Sequence, residues 1–279
     1  MVITVAGFFG LFDYSKPGKG VDKGSPQKKS FVIFFEVFVR KFWKLIQVNL
    51  IFLVSCIPIV TFGLGVGGLT AVTRNFARQE HAFLFDDFKD TIKKNWKQLL
   101  PSSLINLLIF FIMAVAVSFY FSLEGIIGTI ASALCIAILI IFVFMQYYIP
   151  MMVITFKLTI KQIYKNAFIL AFAGLFKNLL ITVILLLFWV AMALMFLLQG
   201  IFLLLAFFIV IFIGFAFSSY VVSFITYPVV RKYIIDPYYR EHPEEEKPFH
   251  LAVEDGFGET EEDELIFEDK GREMSDFDK

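Results

Sequence analysis

Cysteine and histidine are scarce, and this scarcity argues against two kinds of protein. The 279 residues include two cysteines and three histidines. Cys56 and Cys135 both lie in apolar segments, where a thiol behaves as a small hydrophobic side chain. They form neither a disulfide framework nor a metal-ligand spacing, and the histidines (His81, His242 and His250) do not cluster. We therefore predict no metal site and no cofactor.

The sequence also lacks the short motifs of common enzyme classes. It has no Walker phosphate loop, no Gly-x-Ser-x-Gly nucleophile turn and no His-Glu-x-x-His zinc motif. The apolar segments after residue 98 hold no acid except Glu124, which falls at a turn between two of them. Proton-driven carriers more often have an acid within the bilayer. We predict that the protein is not an enzyme, and that Glu124 is either a gate or, more simply, a solvated turn residue.

Long runs without a charged residue are what the sequence has in abundance. Hydrophobic residues make up 58% of the chain, with 37 phenylalanines, whereas a soluble domain is about 45–50% apolar. A membrane-spanning helix needs about 20 apolar residues. Four charge-free intervals are at least that long: 45–73, 98–123, 125–156 and 178–230. The last is too long for one pass, and Gln199-Gly200 supplies a turn near its middle.

The net charge of zero hides two opposite blocks. Residues 1–239 carry twenty Lys or Arg against nine Asp or Glu, whereas residues 240–279 carry five against sixteen. We predict that 1–30 is a basic cytoplasmic arm, because its lysines follow the short apolar opening rather than precede it as in a signal peptide. Residues 240–279 are predicted to be an acidic, disordered cytoplasmic tail, or else a segment that docks on a basic surface.

Orientation follows from the basic residues, because cytoplasmic loops carry the excess of Lys and Arg. The loops at 74–97 and 157–177 are basic, and Arg231 and Lys232 follow the last apolar segment. The turns at Glu124 and Gln199 have no basic residue. We therefore predict a multi-pass protein of the cell membrane with both termini in the cytoplasm. The four later spans form two hairpins, at 99–122, 126–149, 178–198 and 201–228.

The first charge-free interval poses a length problem. Both of its flanks are basic, so the chain must enter and return, and two complete passes need about 40 residues. Pro58 breaks the helix near the middle, and Gly63 and Gly68 follow it. Either two helices extend into the flanks, at about 31–57 and 60–80, or the segment is a re-entrant hairpin. We prefer the first alternative, which makes residues 31–239 an all-α polytopic transmembrane bundle of six helices.

Two amphipathic stretches are predicted to be helices on the cytoplasmic surface. In 83–98, apolar residues recur at three- and four-residue steps, and Asp90 stands four residues before Lys94. In 157–170, three lysines share one helical face, which favours contact with anionic lipid.

The polar residues near the membrane allow two interpretations. The stretch from Arg74 to His81 could dock a cytoplasmic partner or simply cap the second helix. Polar residues within the predicted helices either line a path or form interhelical hydrogen bonds; they are Asn49, Asn106, Gln146, Ser218, Ser219 and Ser223. The candidate partner-binding or structural residues are Pro58, Gly63, Gly68, Arg74, Asn75, Arg78, His81, Lys94 and Glu124.

Several short motifs occur along the first hundred residues. They are Gly10-Leu11-Phe12-Asp13-Tyr14-Ser15-Lys16-Pro17-Gly18-Lys19-Gly20-Val21, Lys41-Phe42-Trp43-Lys44-Leu45-Ile46, Asn49-Leu50, Ile57-Pro58-Ile59, Gly68-Leu69-Thr70 and Arg74-Asn75-Phe76. Together they resemble the YesL-like integral membrane proteins of Gram-positive bacteria. The resemblance is most specific over residues 7–100. It implies proximity to ABC-type carbohydrate uptake systems, and it supplies no catalytic residue. The chain lacks the Glu-Ala-Ala…Gly coupling pattern of an ABC permease.

Two functions follow from these observations as predictions. The first is a membrane accessory or scaffold protein whose cytoplasmic face engages a partner, either a subunit of a carbohydrate transporter or a cytoplasmic protein. The second is a solute transporter or channel. The lipid bilayer is the other predicted partner, and no nucleic acid is predicted to bind.

Overall fold

The structure, a computed structural model, describes residues 30–58, 61–80 and 82–242, and these residues form helices and their connections. The helices are α1 (Ser30–Ser55), α2 (Phe62–Ala77), α3 (Leu84–Ser122), α4 (Ile126–Thr155), α5 (Ile160–Ala173), α6 (Leu175–Leu198) and α7 (Gly200–Glu241). The predicted arm (1–30) and tail (240–279) lie outside the described residues except at Ser30 and 240–242.

Four of these helices, α3, α4, α6 and α7, are long and apolar enough to cross a membrane. They match the four later spans predicted from the charge-free intervals, and they are those of an integral membrane protein. The helices α1 and α2 do not meet the same criterion. The preferred count of six membrane-spanning helices is therefore not confirmed.

The helices run farther than the predicted spans. The predicted surface helix at 83–98 is not a separate element, because α3 continues through Pro101 as one helix of 39 residues. Packing supplies the physical reason: α2 lies against both halves, with Gly68 on Phe88 and Gly63 on Ser103. Likewise α7 continues to Glu241 rather than ending near residue 228.

The segment 157–170, predicted as the second surface helix, is largely helical as α5, Ile160–Ala173, although its position at a membrane surface is not confirmed. A capping box defines its start, since Thr159 accepts from the Gln162 backbone N–H while the Gln162 side chain accepts from that of Thr159. Only Gly174 separates α5 from α6. A Cβ at that position would collide with the Tyr148 hydroxyl, so α4 holds the α5–α6 junction closely.

The two ends of the molecule differ in their connections. We call the end with the short turns at 123–125 and Gln199 the turn end. The opposite end, where the α2–α3 and α4–α5 connections lie, is called the loop end. Two buried clusters fill the loop-end half. Leu45, Phe52, Val72, Phe76 and Tyr220 belong to the cluster around α1 and α2. Tyr148, Met151, Ile163, Leu170 and Val230 belong to the cluster around α4 and α5.

The first hairpin, α1 and α2, stops well short of the turn end. Gly63, in the first turn of α2, packs on Ser103, and α3 continues for 19 residues beyond that point. At 1.5 Å per residue this is about 28 Å. Between the two helices, the Thr61 hydroxyl donates to the Ser55 and Pro58 carbonyls. The hairpin is therefore packed within the loop-end half.

A π-helical turn in α7 explains why Asn49 is fully buried in α1. The turn covers Val210–Gly214, and a π-turn disturbs the regular backbone hydrogen bonding of an α-helix. The Asn49 Nδ2 atom donates to the Ile211 carbonyl at 2.6 Å and lies 3.3 Å from that of Val210. Its Oδ1 accepts from the Ala216 N–H at 2.7 Å. One fully buried side chain thus satisfies the irregular backbone of this turn.

Candidate functional site

The polar residues at the end of α2 form a hydrogen-bonded cluster with three other helices. We call it the Arg74 cluster; it comprises Arg74, Asn75, Arg78, Glu80, Asp87, Thr155 and Tyr227. Arg74 lies in the last turn of α2, and its Nη1 donates to the Thr155 hydroxyl at 2.9 Å. Its Nη2 lies 3.3 Å from the Asn75 Oδ1. Arg74 therefore joins the end of α2 to the end of α4.

Asn75 extends the cluster to the start of α3. Its Nδ2 donates to the Asp87 carboxylate at 3.2 Å. The same carboxylate oxygen accepts from the backbone N–H of Phe83, at 3.1 Å. A negative charge in the first turn of a helix also interacts favourably with the helix dipole. The pair thus fixes where α3 begins.

Arg78 completes the cluster on the side of α7. Its guanidinium forms an ion pair with Glu80 at 2.8 Å and lies 5.7 Å from the centre of the Tyr227 ring. A cation over an aromatic face is an attractive arrangement. Two arginines are balanced by two carboxylates, so the cluster holds four helices together and has little net charge to offer a ligand. The Arg74 Nε is nevertheless buried with no hydrogen-bond acceptor among the described residues.

The other predicted site residues are not brought into this cluster. Pro58 is exposed between α1 and α2. Gly63 and Gly68 lie in the α2–α3 contact, where a Cβ at either position would collide with Ser103 or Phe88. Lys94 is on the exposed face of α3, 3.8 Å from Asp90, and Glu124 is exposed at the turn end. His81 lies outside the described residues.

Exposed lysines are concentrated near the loop end. The charged half of α3 exposes four of them, and the α4–α5 connection and α5 expose three more. They are Lys89, Lys93, Lys94, Lys97, Lys157, Lys161 and Lys165. The Gln98 side chain donates to the Leu158 carbonyl at 2.8 Å, which brings the two groups of lysines near each other. This surface, the lysine face, suits an acidic protein surface or anionic lipid.

A cavity of about 520 Å³ lies between α2, α3 and α4. Most of its lining is apolar, and its polar side chains are all uncharged. The polar lining residues are Ser102, Ser103, Asn106 and Gln146. The sequence marked Asn106 and Gln146 as path-lining or hydrogen-bonding residues, and it missed the two serines. Their position three and four residues before Asn106, on one face of α3, is the signal that would have found them.

A hydroxyl from α5 holds the polar wall of the cavity in place. Tyr164 donates to the Asn106 Oδ1 at 2.6 Å, with the Ser102 carbonyl as a second acceptor at 3.1 Å. Burial raises the pKa of Tyr164 to about 12, so the hydroxyl keeps its proton at neutral pH. The Gln146 Nε2 approaches the same Asn106 oxygen at 3.4 Å. Nothing in this wall is a nucleophile activated by a base.

The comparisons with known proteins are limited to one match. A family model described as "Protein of unknown function, DUF624" matches residues 45–117. The matched segment runs from the second half of α1 to the last turns of α3, so it includes α2 and the α2 and α3 walls of the cavity. It is consistent with a family of uncharacterised proteins and does not confirm the YesL-like resemblance. No curated protein and no solved structure matches the chain.

The described residues offer little for metal or acid–base chemistry. Within 30–58, 61–80 and 82–242, no three His, Cys, Asp or Glu side chains come close enough to hold a metal ion. Chemically, the Arg74 cluster can fix helices, the lysine face can bind an acidic surface, and the cavity can bind an uncharged molecule. The result is an integral membrane protein of undefined activity.

Proposed function

We propose that the protein is an accessory or scaffold component of the cell membrane, which engages a partner at its loop end on the cytoplasmic side. The observation that carries the proposal is the charged half of α3. This half continues a membrane-spanning helix as one rigid element and exposes four lysines beyond the apolar segment. The turn end has only the short connections at 123–125 and Gln199. A polar partner therefore has its largest contact surface at the loop end.

The partner we propose is a subunit of an ABC-type carbohydrate transporter. The resemblance to the YesL-like proteins supports this class of partner. The lysine face favours a partner with an acidic surface, because complementary charge accelerates association and suppresses wrong contacts. In this proposal the Arg74 cluster keeps α2, α3, α4 and α7 in fixed positions under the lysine face. It has no chemical step to perform.

The proposed topology places both termini in the cytoplasm, with four complete spans and one re-entrant hairpin. The support for re-entry is that α2 begins beside Ser103 while α3 continues about 28 Å farther. Irregular backbone at that depth requires cover from protein, and α3 supplies it for the first turn of α2. The charged half of α3 and α5 then lie at the cytoplasmic interface.

Photocrosslinking tests the partner proposal in living cells. A photoreactive amino acid replaces Lys94, whose side chain is 76% exposed, and a second variant carries it at Glu124 on the turn end. We expect the Lys94 position to capture a transporter subunit that the Glu124 position does not capture. Capture of the same proteins at both positions, or of none at Lys94, would contradict the proposal.

The cavity favours a second candidate, a transporter for an uncharged solute. Its polar wall carries no charge, which suits a hydroxylated solute better than an ion. Purified protein reconstituted into liposomes would then carry a labelled sugar above the rate of protein-free liposomes. Equal rates would argue against transport and leave the scaffold proposal unaffected.

A further inference from the structure

The cavity between α2, α3 and α4 combines apolar walls with uncharged polar side chains, and among the described residues some of their polar atoms have no hydrogen-bond partner. We propose that it binds the glycerol backbone of an uncharged glycerolipid, of the diacylglycerol type, from the membrane leaflet at the loop end. This inference is independent of the protein partner proposed above, since it concerns a different surface and a different class of ligand.

Four polar groups in the wall lack a hydrogen-bond partner among the described residues. Tyr164 and Gln146 both donate to the Oδ1 of Asn106, and no acceptor lies within reach of its Nδ2. The Gln146 Nε2 approaches two oxygens, while its Oε1 accepts nothing. The Ser102 hydroxyl is buried without a partner in a residue that is 3% exposed. The Ser103 hydroxyl is also without one. Of these groups only the Ser102 hydroxyl is fully buried, since Ser103, Asn106 and Gln146 are half-buried. An unpaired buried hydroxyl costs stability, which favours a ligand that supplies a partner.

The donors and acceptors of the wall match those of a diacylglycerol. Its two ester carbonyls are acceptors, and the donors in the wall are the Asn106 Nδ2 and the serine hydroxyls. Its free hydroxyl is a donor, and the Gln146 Oε1 is an open acceptor. The apolar remainder of the lining suits the first part of the acyl chains.

Charge excludes the common anionic lipids from this cavity. No Lys, Arg or His lines it, so a phosphate group would lose its water without gaining a counter-charge. Burying an unpaired charge is far more costly than burying a hydroxyl or an ester. The nearby lysines lie on the exposed face of α3 and do not reach the lining. An uncharged head group therefore suits the lining better than an anionic one.

The opening of the cavity faces the surface that lipid covers. Phe62, Leu104 and Leu107 belong to its lining and are 51%, 49% and 66% exposed. A volume of about 520 Å³ is typical of a small-molecule site and too small for two whole acyl chains. The chains would leave through this opening and lie along the exposed side chains of α3.

Photolabelling of the full-length protein in nanodiscs tests the proposal. The probes are a diacylglycerol and a phosphatidylglycerol that carry the same photoreactive acyl chain. We expect at least fivefold more labelling by the diacylglycerol, on peptides that contain residues 102–110 or 146–153. Equal labelling by the two probes, or labelling spread evenly over the spans, would overturn the proposal.

Two variants and a matched control separate binding from folding. Gln146→Leu removes the open acceptor, and we expect at least a fivefold loss of diacylglycerol labelling. Ser102→Ala removes the unpartnered hydroxyl, and we expect about a twofold loss together with an unchanged or raised Tm, because an unpaired buried group has been removed. Ser132→Ala removes a buried hydroxyl outside the cavity and should leave labelling unchanged.

The Ser102→Ala variant keeps the test decisive if Gln146→Leu does not fold. Added diacylglycerol should raise the Tm of the unmodified protein and raise that of Ser102→Ala less, since a ligand stabilises only the state that binds it. Full labelling and a full Tm shift in Ser102→Ala would show that the polar wall does not contact the lipid. That result would contradict the proposal.

Discussion

The loop-end half of the protein is held by buried side chains and specific hydrogen bonds, whereas the turn-end half is held mainly within each hairpin. At the loop end, Tyr148, Ile163, Val72 and Phe76 are completely buried. In α3, none of the most apolar 18-residue stretch is buried. Large apolar side chains of the turn-end half that are more than half exposed include Phe111, Phe119, Phe121, Leu134, Leu187, Leu197, Leu198 and Ile201.

The comparison shows that the hydrophobicity of a segment does not indicate how closely that segment packs against the rest of this chain. The most apolar segments are the least buried, because lipid rather than protein covers them. Specific packing begins where polar residues enter the sequence, and there glycines and asparagines bring the helices together. Substitutions should therefore affect stability strongly in the loop-end half and weakly in the turn-end half.

The largest effect is expected at Asn49. Asn49→Leu leaves the Ile211 carbonyl and the Ala216 N–H without their side-chain partner in an apolar environment. Each unpaired buried group costs about 1–3 kcal/mol, so we expect a loss of about 3 kcal/mol in the free energy of unfolding. Unfolding by denaturing detergent in mixed micelles measures it. Leu134→Ala, at a 61% exposed position in the turn-end half, is the control and should change the value little.

Gly68 is expected to show the next largest effect. A Cβ there would lie 2.8 Å from the Phe88 ring, so Gly68→Ala pushes α2 away from α3 and should cost about 2 kcal/mol. Gly214→Ala is the matched control, because its new Cβ would meet its nearest neighbours at 3.6–3.7 Å, an ordinary contact. Adding Phe88→Leu to Gly68→Ala should restore part of the stability. Equal effects of the two glycine substitutions would contradict the packing difference between the sites.

Two adjacent tyrosines form hydrogen bonds that differ in how deeply they are buried. The Tyr148 hydroxyl donates to the Asn178 Oδ1 at 2.6 Å, and both residues are completely buried. Tyr147 is half-buried, and its hydroxyl lies 2.9 Å from that of Thr182. Tyr148→Phe should cost about 1–2 kcal/mol, because it leaves the Asn178 oxygen unpaired. Tyr147→Phe should cost about half as much in the same unfolding assay. A larger loss in Tyr147→Phe than in Tyr148→Phe would contradict the assumption that burial sets the contribution of these hydrogen bonds.

The smallest effect is expected at Lys94. Its ion pair with Asp90 has a separation of 3.8 Å, and both side chains are mostly exposed. Such pairs contribute about 0.3–0.5 kcal/mol, less in high salt. Lys94→Gln should therefore leave the unfolding free energy within about 0.5 kcal/mol, and it should nevertheless weaken partner capture at the lysine face. A large loss of stability would show that Lys94 contributes to packing, which would contradict its exposed position.

The spans could be predicted because they depend on composition alone. The charge-free intervals after residue 98 become α3, α4, α6 and α7, with turns at Glu124 and Gln199 as predicted. The surface helix at 83–98 was predicted as a separate element, because Pro101 resembles a helix boundary in the sequence. In the structure, contacts on both sides of it favour one continuous helix.

The candidate site was only partly visible in the sequence. Arg74, Asn75 and Arg78 were chosen as a polar stretch, but the partners that join them to other helices lie 12 or more residues away, at Asp87, Thr155 and Tyr227. The roles of Asn49 and Tyr164 also depend on distant partners. Asn49 bonds a π-turn more than 160 positions later in the chain, and periodicity within one helix carries no information about such a contact.

The sequence by itself determined that the protein enters a membrane. It also determined where the turns between its four long apolar helices lie. The physical reason is that transfer into hydrocarbon depends on the sum of side-chain hydrophobicities over about 20 residues. Only the tertiary structure decided that α2 begins beside Ser103, that the Arg74 cluster joins four helices, and that α2, α3 and α4 enclose a cavity with an uncharged polar wall. Those features depend on which helix faces meet, and helix contacts are set by side-chain shape and by polar groups that must find partners.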